Sequence, residues 1–271
     1  MTASPPSGAA RRPLVSGNWK MHHDHIEALH AVRDLGLRLD PADVERVDVS
    51  VHPPFTDLRT VQTVVEGNGT PVALGAQHCS PHDQGAYTGE VSPQMLARLG
   101  VRYVIVGHSE RRRLFGMDDA AVAATVQAVL RHKMVPICCV GETGDERDAG
   151  HTEAVLDGQL RGALAGLPPD RVATMVVAYE PVWAIGTGAA ATTVDAEDAC
   201  SFLRTVVADL AGDGAASGVR VQYGGSVDGE NAAGYVAEPD VDGLLVGGAS
   251  LQAASFVDIV RGVAALPSRR R

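Results

Sequence analysis

Large rings are scarce in this chain. Four Phe, five Tyr and two Trp among 271 residues mean that the core has to be built from Ala, Val, Leu and Ile. Nor are aromatics interleaved with basic residues, as a nucleic-acid surface requires. Positive charge is in deficit too, with 23 Lys and Arg against 33 Asp and Glu and a formal net charge of −10. That balance argues against nucleic acid or an anionic membrane as a partner. An anionic ligand must therefore be held by a few local cations and by backbone N–H groups.

Cysteine occurs only at Cys79, Cys138, Cys139 and Cys200, without metal-ligand spacing, and the adjacent pair points to opposite faces of a strand. Such usage suits a reduced, cytoplasmic chain. Residues 1–12 lack an apolar stretch, so they read as neither a secretory signal nor a membrane span. They are expected to form a disordered N-terminal tail, followed by a catalytic domain over 13–265 and a C-terminal tail over 266–271.

What the chain has in abundance is a repeat of one pattern. Short apolar runs rich in Val and Ile begin at residues 14, 47, 71, 101, 134, 174, 218 and 242, each succeeded by a polar or Gly-bearing loop and a helical pattern. The helices are clearest in HIEALHAVRDLGLRL, DDAAVAATVQAVLRH, EAVLDGQLRGALAGL and DAEDACSFLRTVVADL. Continuous hydrophobicity means strands covered on both faces, as in a parallel sheet wrapped by helices. Eight such units without a domain linker predict an α/β fold, a single closed (β/α)8 barrel, whose chemistry sits where the strands end.

The polar residues at those strand ends are the candidate site. Lys20 follows the first strand and can meet a phosphate or a developing enolate oxygen, while Asn18 projects to the same side and can donate a hydrogen bond. His108 closes an apolar run and opens GHSERRR, where a neutral imidazole can polarise a carbonyl. Glu180 ends the sixth strand directly before Pro181, a place where packing needs no carboxylate, and desolvation would strengthen it as a base. Paired glycines after strands seven and eight, in QYGGSV and LVGGAS, let backbone N–H groups approach an anion. His22, His23 and His25 lack a clustered carboxylate, so no metal site is expected. Arg111, Arg112 and Arg113 read as internal ion pairs rather than a nucleic-acid patch.

Seven motifs in order, SGNWKM, GAYTGEVS, IVGHSERR, CVGE, AYEPVWAIGTG, YGGSV and LVGGASL, make the chain resemble the triosephosphate isomerases from residue 14 to about 260. The resemblance implies interconversion of dihydroxyacetone phosphate and D-glyceraldehyde 3-phosphate through an enediolate, a step of glycolysis and gluconeogenesis, with no cofactor and no metal. It implies Glu180 as base, His108 as electrophile, and Lys20 with Asn18 as stabilisers of substrate and enediolate. Gly186, Ser226, Gly247 and Gly248 would bind the phosphate. A glutamate base beside a neutral histidine, and a loop that closes over them, are features for which this family is itself the standing example; here residues 181 to about 191 would close. Glu110 would neighbour the lysine, and Thr88 would belong to a loop inserted into a second subunit of a homodimer.

The chain departs from the family pattern at Ala189, Ala190 and Ala191, where a basic residue followed by Thr-Ala is usual, and at His22, His78 and Met117. Two alternatives stay open: an isomerase of another short phosphorylated ketose, such as an erythrulose phosphate, and a noncatalytic phosphate-binding barrel.

Overall fold

A computed structural model describes residues 11–185 and 190–267. Eight strands, β1 Leu14–Asn18, β2 Asp48–His52, β3 Ala73–Ala76, β4 Tyr103–Val106, β5 Val135–Val140, β6 Val176–Tyr179, β7 Arg220–Tyr223 and β8 Gly243–Val246, pair in parallel in chain order. β8 then pairs with β1, Leu14 opposite Gly243, and the sheet closes into a barrel. The fold is the (β/α)8 barrel that the repeated apolar runs predict.

The helices form where the sequence supplies periodicity and caps. Asp24 and Glu27 make a reciprocal capping box on helix His25–Arg38, and Thr192 with Asp195 does the same for Thr193–Ala211. Asp118 caps Asp119–Arg131 through the amide of Ala121. Short helices at Pro41–Val44, Ser109–Phe115, Gly144–Asp148, Pro169–Val172 and Asp213–Gly218 add to the pattern read from sequence. No helix among the described residues is long and apolar enough to cross a membrane.

Alternation along each strand divides the core in two. Val15, Val104, Cys138, Val177 and Leu244 face the helices, whereas Leu14, Tyr103, Ile105, Ile137, Cys139, Val176, Ala178 and Leu245 fill the barrel itself. Cys138 and Cys139 thus lie in different cores, and all four cysteines are free and buried. Polar groups also occupy the interior. Gln222 donates to Ser16 Oγ at 3.0 Å, Ser50 Oγ lies 3.0 Å from Ser16 Oγ, and His52 Nε2 lies 3.1 Å from Ser50 Oγ. Inward-facing residues on β1 therefore run Leu14, Ser16, Asn18, and the last of them opens at the rim.

The chain is anchored two residues earlier than the tail boundary read from sequence. Arg11 ion-pairs with buried Asp242 at 2.7 Å, and Arg12 pairs with Asp48 at 3.2 Å. At the other end Leu266 packs on the core and its carbonyl accepts a hydrogen bond from Arg46.

Candidate active site

The loops after β1, β4, β6, β7 and β8 enclose a cavity of 660 Å³ at the C-terminal rim. Asn18, Lys20, His108, Glu180, Ser226, Gly247 and Gly248, all singled out in the sequence, line it together. Gly186, assigned to the phosphate by resemblance, lies outside the described residues, as does Ala189.

Lys20 is held by three bonds. Its amide donates to Asn18 Oδ1 at 3.1 Å, its carbonyl accepts from Gln77 Nε2 at 2.6 Å, and its ammonium meets Glu110 Oε1 at 2.7 Å. The backbone needs this support because Lys20 has φ 52°, a left-handed conformation costly for a residue with a side chain. Gln77 donates also to His52 O at 2.9 Å, so one amide group ties the first loop to β2. Asn18 accepts from Lys20 through its oxygen, which leaves its NH₂ as the donor for the cavity.

His108 is the N-cap of helix Ser109–Phe115, and its Nδ1 accepts the Glu110 amide at 3.2 Å. With a donor facing Nδ1, the ring proton sits on Nε2, which reaches Glu180 Oε1 at 3.0 Å. The second oxygen of Glu180 accepts the Ser109 amide at 2.8 Å. Burial pushes the Glu180 carboxyl up, but His108, Ser109 and Lys20 outweigh it and hold the group below its ordinary range. Burial likewise disfavours the His108 imidazolium, and the facing Glu180 carboxylate outweighs that, holding the ring above its ordinary value.

Glycine allows the strand ends to close around these groups. A Cβ at Gly141 would lie 1.8 Å from the Glu180 carbonyl oxygen, and one at Gly225 would lie 2.0 Å from the Tyr223 hydroxyl. Gly247 approaches the Lys20 stem, where a Cβ would sit 3.5 Å from Cε. Backbone after β7 and β8, from Gly224 to Val227 and from Gly247 to Ala249, thereby lines the same cavity as Lys20.

Sequence reasoning missed several contributors. Ser109 acts through its amide, which no side-chain pattern reveals, and Gln77 stands far along the chain from Lys20. Glu142, the last residue of the CVGE motif, accepts from Tyr179 Oη at 3.0 Å and from Trp183 Nε1 at 2.8 Å, fixing the segment after Glu180. Arg147 lies over the Trp183 ring at 4.0 Å. The three arginines are not all internal ion pairs. Arg112 pairs with Asp119 at 2.6 Å, Arg111 lies over the Phe115 ring, and Arg113 is exposed and lines the cavity. Of the remaining departures, Met117 is buried in the core, His22 is exposed, and burial and then Arg111 push the His78 imidazole down to about 4. Among the described residues no group of three side chains could hold a metal ion.

The resemblance extends beyond this rim. The family model described as triosephosphate isomerase matches residues 13–263. The triosephosphate isomerase of Mycobacterium tuberculosis is 51% identical over 250 residues, covering 92% of this chain and 96% of that one. That of Nocardia farcinica is 50% identical over 251 residues, with the same coverage. The crystal structure of triosephosphate isomerase from Bartonella henselae superposes with a TM-score of 0.81 at 35% identity, covering 93% of this chain and 98% of the other. With this match over nearly its whole barrel, the chain belongs to the triosephosphate isomerase family.

Proposed function

We infer that the chain interconverts dihydroxyacetone phosphate and D-glyceraldehyde 3-phosphate by moving a proton between neighbouring carbons. The observation that carries this reading is the pairing of a buried carboxylate with a histidine whose Nε2 bears the proton, beside an ammonium group. Glu180 is the base, His108 the electrophile and proton shuttle, Lys20 the cation that meets the anionic substrate and enediolate, and Asn18 a further donor.

The hydrogen bonds explain how such a base is switched on. A substrate carbonyl placed between the two groups takes over the His108 Nε2–H bond. Glu180 then loses the contact that holds its acidity high, while its burial remains, so its basicity rises where a C–H bond is presented. The enediolate oxygens that form face His108, Asn18 and Lys20. A fixed donor of this kind contributes roughly 3 kcal/mol, and general acid–base assistance adds about 10²–10⁴-fold in rate. Backbone N–H groups at Ser226, Gly247 and Gly248, with Gly186, hold the phosphate, and the segment from Pro181 to about 191 closes over it.

We place the working form as a homodimer in the cytoplasm. Met21, Tyr87, Met95 and Phe115 expose 94%, 45%, 56% and 68% of their surface, on the loops and helices that follow β1, β3 and β4. Large apolar groups so exposed on one sector support an interface there. Thr88, beside Tyr87, lies in that sector, and sedimentation equilibrium tests the association.

The relatives support neither a four-carbon ketose nor a noncatalytic barrel. A coupled isomerase assay with both triose phosphates and an erythrulose phosphate decides the substrate. Turnover confined to the four-carbon sugar, or none at all, would overturn the reading.

A further inference from the structure

The cavity walls are close to electrically balanced, and the balance depends on one residue. Two carboxylates, Glu110 and Glu180, stand against two cations, Lys20 and Arg113. Lys20 is already matched, because its ammonium lies 2.7 Å from Glu110. Arg113, one helical turn beyond Glu110, forms no ion pair among the described residues. Its neighbours in the sequence differ from it, since Arg112 is tied to Asp119 and to Gly107 O, and Arg111 is half-buried against Phe115. A phosphomonoester carries about −1.5 to −2 charge at neutral pH, and the protein it approaches carries −10. Without Arg113, like charge would face like charge at the entrance.

We propose that Arg113 is a substrate-recruiting cation. Its guanidinium draws the phosphorylated triose to the mouth of the cavity and offsets the wall carboxylates without touching the reacting carbons. Arginine suits the task, being charged at every working pH and borne on a stem long enough to follow the ligand inward. This role rests on the isomerase reading above and adds a determinant of charge selectivity to it. A single charge acting through water at the rim gives an effect of about three- to fivefold in kcat/KM at low salt, not a loss of chemistry.

The test is a charge series at one position: the parent, Arg113→Lys, Arg113→Gln and Arg113→Glu. kcat and KM are measured for both triose phosphates at ionic strengths from about 0.01 to 0.5 M, with inhibition by inorganic phosphate as a second readout. Arg113→Lys should match the parent. Arg113→Gln should lose about three- to fivefold in kcat/KM at low salt and Arg113→Glu about tenfold or more, with kcat within about twofold and phosphate inhibition weakened in the same order. At the highest salt the series should converge to within about twofold. Equal kcat/KM across the series at low salt overturns the proposal, as does a loss that persists at high salt or resides in kcat. A parent that isomerises neither triose phosphate sinks the isomerase reading itself. An active parent with a flat series sinks only the role of Arg113.

Discussion

His108 Nε2 and Glu180 Oε1 lie 3.0 Å apart, and the two buried groups hold one proton between them. Replacing Glu180 by Gln keeps the shape and removes the base. Turnover should fall by at least about 10³-fold, whereas inorganic phosphate should inhibit any residual activity, or bind by calorimetry, within about tenfold of the parent. Near-parental turnover in Glu180→Gln would mean that another group takes the proton.

Gly141 packs its Cα against the Glu180 backbone, where a Cβ would approach the carbonyl oxygen to 1.8 Å. The obstacle is backbone and cannot rotate away. Gly141→Ala should therefore displace Glu180, lowering kcat by about 10²-fold for a shift near 1 Å and stability by about 1–3 kcal/mol or more. Parental kcat and Tm in this variant would show that the strand ends yield freely.

Gln77 donates to the carbonyls of Lys20 and His52. Gln77→Leu leaves both without that donor, and the left-handed Lys20 backbone loses a tether. The expected cost is about 1–3 kcal/mol in urea unfolding, against almost none for a leucine at a solvent-exposed polar site. An unchanged midpoint would show that water replaces the amide.

His52 lies fully buried, its Nδ1 on Ala76 O at 3.1 Å, and burial depresses its imidazole to about 4. The unfolded chain, with an ordinary histidine value near 6.5, binds the proton first. Stability from this residue is thus complete above about pH 6.5 and is lost as pH falls toward 4. At pH 5 the loss is roughly 2 kcal/mol relative to pH 7.5. Urea unfolding at the two pH values should show a smaller difference in His52→Gln than in the parent, whatever its absolute stability. Identical differences would assign the acid sensitivity to other groups.

The strands were legible because a buried parallel strand writes itself as an unbroken apolar run, and the rim residues because they interrupt such runs at their ends. Lys20, His108 and Glu180 all carry that signature. The polar chain through Ser16, Ser50, His52 and Gln222 was not legible. Hydrophobic continuity reports that both faces are covered, but not that a closed barrel can partner both ring nitrogens of a histidine within itself. Contacts between distant positions were equally hidden. Arg11 looks like part of a polar tail until Asp242 is placed beneath it, and Arg113 looks like its two neighbours until the helix turns it toward the cavity.

The pairing of β1 with β8 also bears on how the protein is made. β1 leaves the ribosome first among the strands, yet one of its edges stays without a partner until residues 243–246 emerge. Each intermediate length of nascent chain therefore presents two strand edges, the first and the newest, both able to recruit a neighbouring chain. Arg11 can find Asp242 only after that wait, so its ion pair fastens a barrel already complete. A message truncated before β8 would yield a chain bearing most of the catalytic rim and an open seam, prone to aggregate rather than to work at reduced rate.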